Sequence, residues 1–350
     1  MRYKQATIIN LLYDIYSLCS QKKLTFLSLP QEYERFNIIN FKLPQNSWKS
    51  QVSNIKISII SYVGLHPLPL DLVENMILSQ SFPLSEVEFI FIEASSSSAY
   101  QEYFSSKSYP CTITVISGCK ARGHAQNIGI KHSTGEIIYF VADDFILPRK
   151  AIQSHWDFHQ SSTEIEAVGI GSGLIPKAIK NNFSHWLESS GNLFGVPFYK
   201  SMKCVPDHFF YIGNTSIKRS FLDKVGLFDE SFYGESWDDY EFGLRLSKQG
   251  LSAKYIKDAT ALHFHNISES LRFKEVEKSG KNAYLFKQLF PGIYDWEHHI
   301  NVPAWEYYLN IAKSYILFWI TKKTAHQHTL WSHLTNYHFK KGYVKGSKPN

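Results

Sequence analysis

At 350 residues, with 44% hydrophobic and 19% charged side chains, the chain can bury one large core or two modest ones and is too apolar for wholesale disorder. Its net charge of +6 favours anionic partners, but no dense Lys/Arg stripe runs through the body, which argues against nucleic acid. Four cysteines without metal-type spacing are too few to suggest a disulfide framework, so reduced thiols are the default, and no apolar run reaches the roughly 18 residues that span a bilayer.

Residues 1–54 read as a helical extension and a Pro-punctuated linker. Asp14 interrupts the apolar start, so this segment reads as a helix and not as a signal peptide. A cytoplasmic protein, at most peripheral on the inner face of a membrane, is the expectation. Ile55–Tyr62 is the first strand, Asp71–Ser79 a helix, Glu86–Ile92 a second strand, Ala99–Ser105 a helix and Cys111–Ile116 a third strand. An amphipathic helix follows, with Ala125, Ile128, Gly129 and His132 on one face, and Thr134-Gly135 is expected to stop it through a left-handed Gly cap. Glu136–Val141 then reads as a strand buried on both faces. Strand–helix alternation of this kind argues for a parallel α/β sheet with right-handed crossovers. Asp143 and Asp144 fall just past that last strand, where open α/β sheets bind ligands. Two carboxylates there suit a divalent cation holding a diphosphate, and they equally suit a helix N-cap.

Arg149–Gln160 reads as a helix and Ala167–Ile175 as a strand, after which the pattern weakens to about Asp207. Ser216–Val225 and Trp237–Gln249 read as helices stopped by Gly226 and Gly250. His263 and His265 flank Phe264 after a strand-like run, and alternation puts both imidazoles on one face. Beyond them the chain is helical, aromatic and basic, with Ile311, Tyr315, Phe318 and Ile320 roughly on one face ahead of Lys322 and Lys323. Such a helix can lie on an anionic membrane surface or pack onto the body.

Four stretches in this order resemble family 2 glycosyltransferases of the GT-A fold: SIISY (58–62), IEASSS (92–97), the run from Ala121 to Asp144, and GESWDDYEFGLRL (234–246). The resemblance covers Ile55 to His265. It implies a GT-A type, Rossmann-like mixed α/β sheet flanked by helices, with helical N- and C-terminal extensions. A nucleotide-sugar-binding half would occupy residues 55–150, an acceptor-binding half 151–270 and a C-terminal helical extension 271–350. It further implies an inverting, metal-dependent enzyme using a nucleotide-diphospho-sugar, uridine-type, on a glycan or lipid-linked acceptor, as in the building of a bacterial surface polysaccharide. Ser61, Tyr62, Glu93, Ser96, Arg122, Asn127 and Asp143 fall at nucleotide-binding positions. Asp144, with His265 or His263, falls at the position of the ligands for Mn2+ or Mg2+. Asp239 takes the place of the general base, beside Trp237 and Asp238 at acceptor-binding positions. Ala94 and Ala142 depart from the family pattern by replacing acidic residues. An inactive GT-A-like binding protein and a nucleotidyltransferase are the rival readings; the loop GLHPLP after the first strand lacks the basic residue that the latter needs.

Overall fold

The computed structural model describes residues 54–64, 68–94, 98–119, 121–194, 210–232, 237–265, 267–292 and 302–347. The N-terminal extension lies outside them except for its last residue. Four strands form the nucleus: β1 (Ile57–Val63), β2 (Val87–Ala94), β3 (Thr112–Cys119) and β4 (Ile137–Val141). They pair in parallel in the order β3-β2-β1-β4, with helices α1 (Leu70–Leu78), α2 (Ala99–Ser105) and α3 (Arg122–His132) between them.

The strand sequences are apolar throughout because both faces of the sheet are covered. Along β4, Ile137, Tyr139 and Val141 join a core with Val73 and Ile77 of α1 and Phe104 of α2. Ile138 and Phe140 point the other way, to Ala125 and Ile130 of α3. Each such side chain contributes about 1.5–3 kcal/mol when fully buried. Alternation along one strand therefore builds two cores at once.

Past β4 the chain forms β5 (Phe145–Ile146), α4 (Ala151–Ser161), β6 (Ala167–Ile170), β7 (Gly173–Leu174), α5 (Asn182–Ser189), β8 (Asn214–Lys218), α6 (Arg219–Val225) and α7 (Asp238–Lys248). Short strands β9 (Ser252–Tyr255) and β10 (Ala261–His263) lead to the tail helices α8 (Glu269–Leu289), α9 (Ala304–Thr321) and α10 (Thr324–Gly346). The main sheet has seven strands in the order β3-β2-β1-β4-β8-β6-β9, and β8 runs antiparallel to both neighbours. A second sheet, β5-β10-β7, sits beside it.

Three local expectations need correction. Residues Ser216–Lys218 are the end of strand β8, not the start of a helix; pairing of Asn214–Lys218 with β4 on one side and β6 on the other overrides the helical reading. Ala167–Ile175 is not one strand: the chain leaves the main sheet after Ile170, and Gly173–Leu174 pairs with β10 instead. Gly135 is not a left-handed cap, since α3 ends at His132 with Ser133 extended. Gly135 is needed for close approach: its N–H donates to Ser58 Oγ at 2.7 Å, and a Cβ there would collide with the Ser58 backbone.

The tail is fastened through α10. A Cβ on Gly280 of α8 would overlap the Phe339 carbonyl, and one on Gly342 of α10 the Glu277 carbonyl, so these two helices touch backbone to backbone. Trp331 of α10 packs with Phe183 and Trp186 of α5.

Candidate active site

The carboxyl edge of the parallel strands carries two acidic corners. The first is formed where β4 gives way to β5. Asp144 is held there by β10: the Phe264 N–H donates to the Asp144 carbonyl at 2.8 Å, and β5 pairs antiparallel with β10. That pairing carries His263 Nε2 to 2.9 Å and His265 Nδ1 to 3.7 Å from Asp144 Oδ2. The three ligand-type atoms all lie within 4.8 Å of one another. Two atoms bound to one ion at bonds of about 2.1 Å can be at most about 4.2 Å apart, so closing on a cation needs only small movements. His263 is wedged between the rings of Phe145 and Phe194, and its Nδ1 is buried with no hydrogen-bond partner among the described residues. The expectation that both imidazoles share a face is met, and both converge on Asp144.

The second corner lies at the start of α7. Trp237 adopts a left-handed backbone (φ 74°), a strained conformation for a bulky residue and one that concentrates at functional sites. Asp238 and Asp239 follow in the first helical turn. Asp238 is fully buried and accepts a two-pronged bond from Arg122, its Oδ2 from Nε at 3.0 Å and its Oδ1 from Nη2. Asp239 Oδ2 stands 3.8 Å from the same guanidinium, and its side chain keeps 22% of its surface open. Burial pushes the Asp239 carboxyl up to about 6; Arg122 opposes this and the Asp238 charge reinforces it. Arg122 opens α3, directly after β3, which sets this corner at the same edge of the sheet as Asp144.

Other residues singled out in the sequence have defined contacts. Asp143 Oδ2 accepts the Gly64 N–H at 3.0 Å, joining the ends of β1 and β4 beside buried Ser61 and half-buried Tyr62. Glu93 is fully buried and turns its carboxylate onto α2, accepting from the Tyr100 and Gln101 N–H groups at 2.8 and 3.3 Å and from Ser117 Oγ at 3.1 Å. The Asn127 amide clamps a distant loop, donating to the Phe228 carbonyl at 3.0 Å and to Glu230 at 2.7 Å and accepting the Phe228 N–H at 2.8 Å. Trp237 Nε1 donates to the Ser279 carbonyl at 2.9 Å, and its ring rests on Phe286 of α8. Ser96 lies outside the described residues. Ala142 meets the sheet through its backbone, its N–H donating to the Gly213 carbonyl at 3.0 Å.

Sequence reasoning missed a polar group beneath the first corner. Asn214 accepts from Tyr139 OH at 2.6 Å and donates to the carbonyls of Ser172 and Ala259 at 3.2 and 2.7 Å, while buried His155 and His159 both meet Ser216 Oγ. The spacing of His155 and His159, one helical turn apart, was the available signal.

This sheet, with acidic corners at its carboxyl edge, defines the GT-A fold of glycosyltransferases, in agreement with the motif resemblance. No family model matches the chain. Among solved structures it is similar to the mannosyltransferase PcManGT of Pyrobaculum calidifontis, in complex with GDP-Man and Mn2+ (TM-score 0.56, 14% identity, 97% of this chain and 99% of that one). In sequence it is similar to the uncharacterized glycosyltransferase YfnE of Bacillus subtilis (strain 168), 21% identical over 199 residues covering 44% of this chain. It is also similar to the chondroitin synthase of Pasteurella multocida (strain Pm70), 30% identical over 96 residues covering 25% of this chain. The match spans 50% of the first relative and 10% of the second.

Proposed function

We propose that the protein is an inverting glycosyltransferase that moves a sugar, of hexose type, from a nucleotide-diphospho-sugar to a hydroxyl of a glycan or lipid-linked acceptor. The observation that carries this reading is the convergence of Asp144, His263 and His265 at the carboxyl edge of a GT-A sheet. A divalent cation held by these three would neutralise the diphosphate leaving group. Two imidazoles beside one carboxylate favour Mn2+ over Mg2+, because nitrogen donors suit a transition metal better than the harder ion. Asp239 accepts the proton of the acceptor hydroxyl as that oxygen attacks the anomeric carbon; the bond to the diphosphate breaks on the opposite face, and configuration inverts. An elevated pKa suits this work, since a base near the working pH is both ionised and able to hold a proton.

Asp238 and Arg122 position the base. The buried ion pair fixes the first turn of α7, and its guanidinium keeps Asp239 ionised against burial and the neighbouring charge. Trp237, pinned by Ser279, walls the acceptor side. Ser61, Tyr62 and Asp143, at the joined ends of β1 and β4, bound the nucleotide pocket, while Glu93 and Asn127 brace it through α2 and the loop at Phe228.

The test is donor hydrolysis by the full chain across UDP-, GDP- and dTDP-sugars with and without Mn2+. Metal-dependent release of one nucleoside diphosphate supports the reading and identifies the donor. Silence across the panel, with no nucleotide binding in calorimetry, would favour a GT-A protein that has kept the fold without the reaction.

A further inference from the structure

Helix α9 is amphipathic in an inverted sense. Tyr307, Ser314 and Phe318 are turned inward on the side that meets α10, with Lys340 Nζ over the Tyr307 ring at 5.2 Å. The opposite side carries Trp305, Leu309, Ile316, Trp319 and Ile320, spaced to form one stripe, and all are exposed. Of thirteen exposed large hydrophobic side chains among the described residues, eight lie between Trp305 and Ile320. A concentration of this kind on one helix marks a contact surface, whereas scattered exposed leucines would not. The stripe also corrects the face expected from the sequence, since Ile311 and Phe318 are half-buried, while Tyr315 and Ile320 are exposed.

Charge selects the occupant. Between residues 302 and 347 the chain has six lysines and a single carboxylate, Glu306. Glu277 of α8 engages Lys341 and Lys345, and Lys313, Lys322 and Lys323 stand exposed on α9 and at its end. Lys322 Nζ lies over the Trp319 ring at 5.6 Å, which puts a cation beside an indole at the rim of the stripe. Tryptophan, tyrosine and lysine bordering an aliphatic strip match the boundary between lipid headgroups and acyl chains. No helix among the described residues is long and apolar enough to cross a membrane, so contact would be in the plane. A two-fold contact between copies of this face would bring together two lysine-rich surfaces of like sign.

We infer that the outer face of α9 docks in the headgroup region of an anionic lipid bilayer. This surface is separate from both acidic corners, and the inference does not depend on the transfer reaction.

The test is flotation of the full chain with vesicles of phosphatidylcholine alone or with about a quarter phosphatidylglycerol, at low and high salt. Two variants accompany it: the triple Ile316→Ser, Trp319→Ser, Ile320→Ser, and the pair Lys322→Glu, Lys323→Glu. Circular dichroism of each checks the fold. The expected result is salt-sensitive flotation with the anionic vesicles, reduced about tenfold or more by either variant. Wild-type protein that stays unbound at low salt overturns the inference. So does a dimer, seen by light scattering, that the triple variant dissolves and anionic vesicles do not compete. Should the triple variant fail to fold, unchanged binding by the lysine pair is sufficient to reject it.

Discussion

The two acidic corners share an edge of the sheet but solve opposite problems. Asp238 meets a guanidinium, a permanent cation that cannot serve as a ligand, and the pair closes on itself. Asp144 meets two imidazoles, which are neutral ligands in their basic form and leave room for a cation from solution. One corner therefore carries its positive charge in the chain, and the other, on the proposed reading, recruits it from solution. In the proposed mechanism the difference separates the corner that takes a proton from the one whose cation faces a phosphate.

The largest effect expected from breaking this comparison is on Asp239, the proposed base. Asp239→Asn should lower transfer by about a thousandfold while calorimetry shows unchanged nucleotide binding. Near-wild-type turnover would take Asp239 out of the mechanism. Next comes the internal cation. Arg122→Ala leaves Asp238 fully buried without its described partner and should cost about 2–4 kcal/mol, read from the denaturation midpoint. A loss below about 0.5 kcal/mol would mean that Asp238 finds water or another donor.

At the recruiting corner, His263→Ala should weaken Mn2+ binding by about 10–100-fold, measured by titration of the metal's paramagnetic signal, and leave the fold in place. His265→Ala, whose nitrogen is farther from Asp144, should follow with a smaller loss. Equal affinities in wild type and both variants would exclude a metal from this corner. The mildest test is the pH profile. Only ionised Asp239 can take a proton, so turnover should fall as pH drops below about 6. Removing the Arg122 charge should move that limb to higher pH, because the guanidinium is what holds the carboxyl down. A limb that ignores Arg122 would assign it to another group.

Much of this was legible from the chain because it is written locally. The run Glu136–Val141 announces a doubly covered strand, and the alternation in His263-Phe264-His265 predicts the shared face that Asp144 meets. Pairing across the fold was not legible. Arg122 falls at a nucleotide-binding position of the family pattern, and it reaches Asp238, 116 residues away, a partner that no local pattern names. Asn127 likewise spends its amide on Phe228, and Glu93 on the start of α2. Strand β8 was misread at its end because Ile217 fits either period, and its neighbours in the sheet decided the matter. The outward stripe of α9 was half visible: the apolar spacing showed in the sequence, but which side met α10 did not.

The partnership of Asp144 with His263 spans 119 positions. At about 5–20 residues per second, a ribosome needs roughly 6–24 s after Asp144 emerges to deliver that histidine. For that whole interval the emerging chain lacks the two imidazoles that face Asp144, and until Asn214 arrives it also lacks β8, the strand that pairs with the far edge of β4. The partner for the open edge of β4 and the imidazoles for Asp144 are thus both supplied late, by residues 214–265.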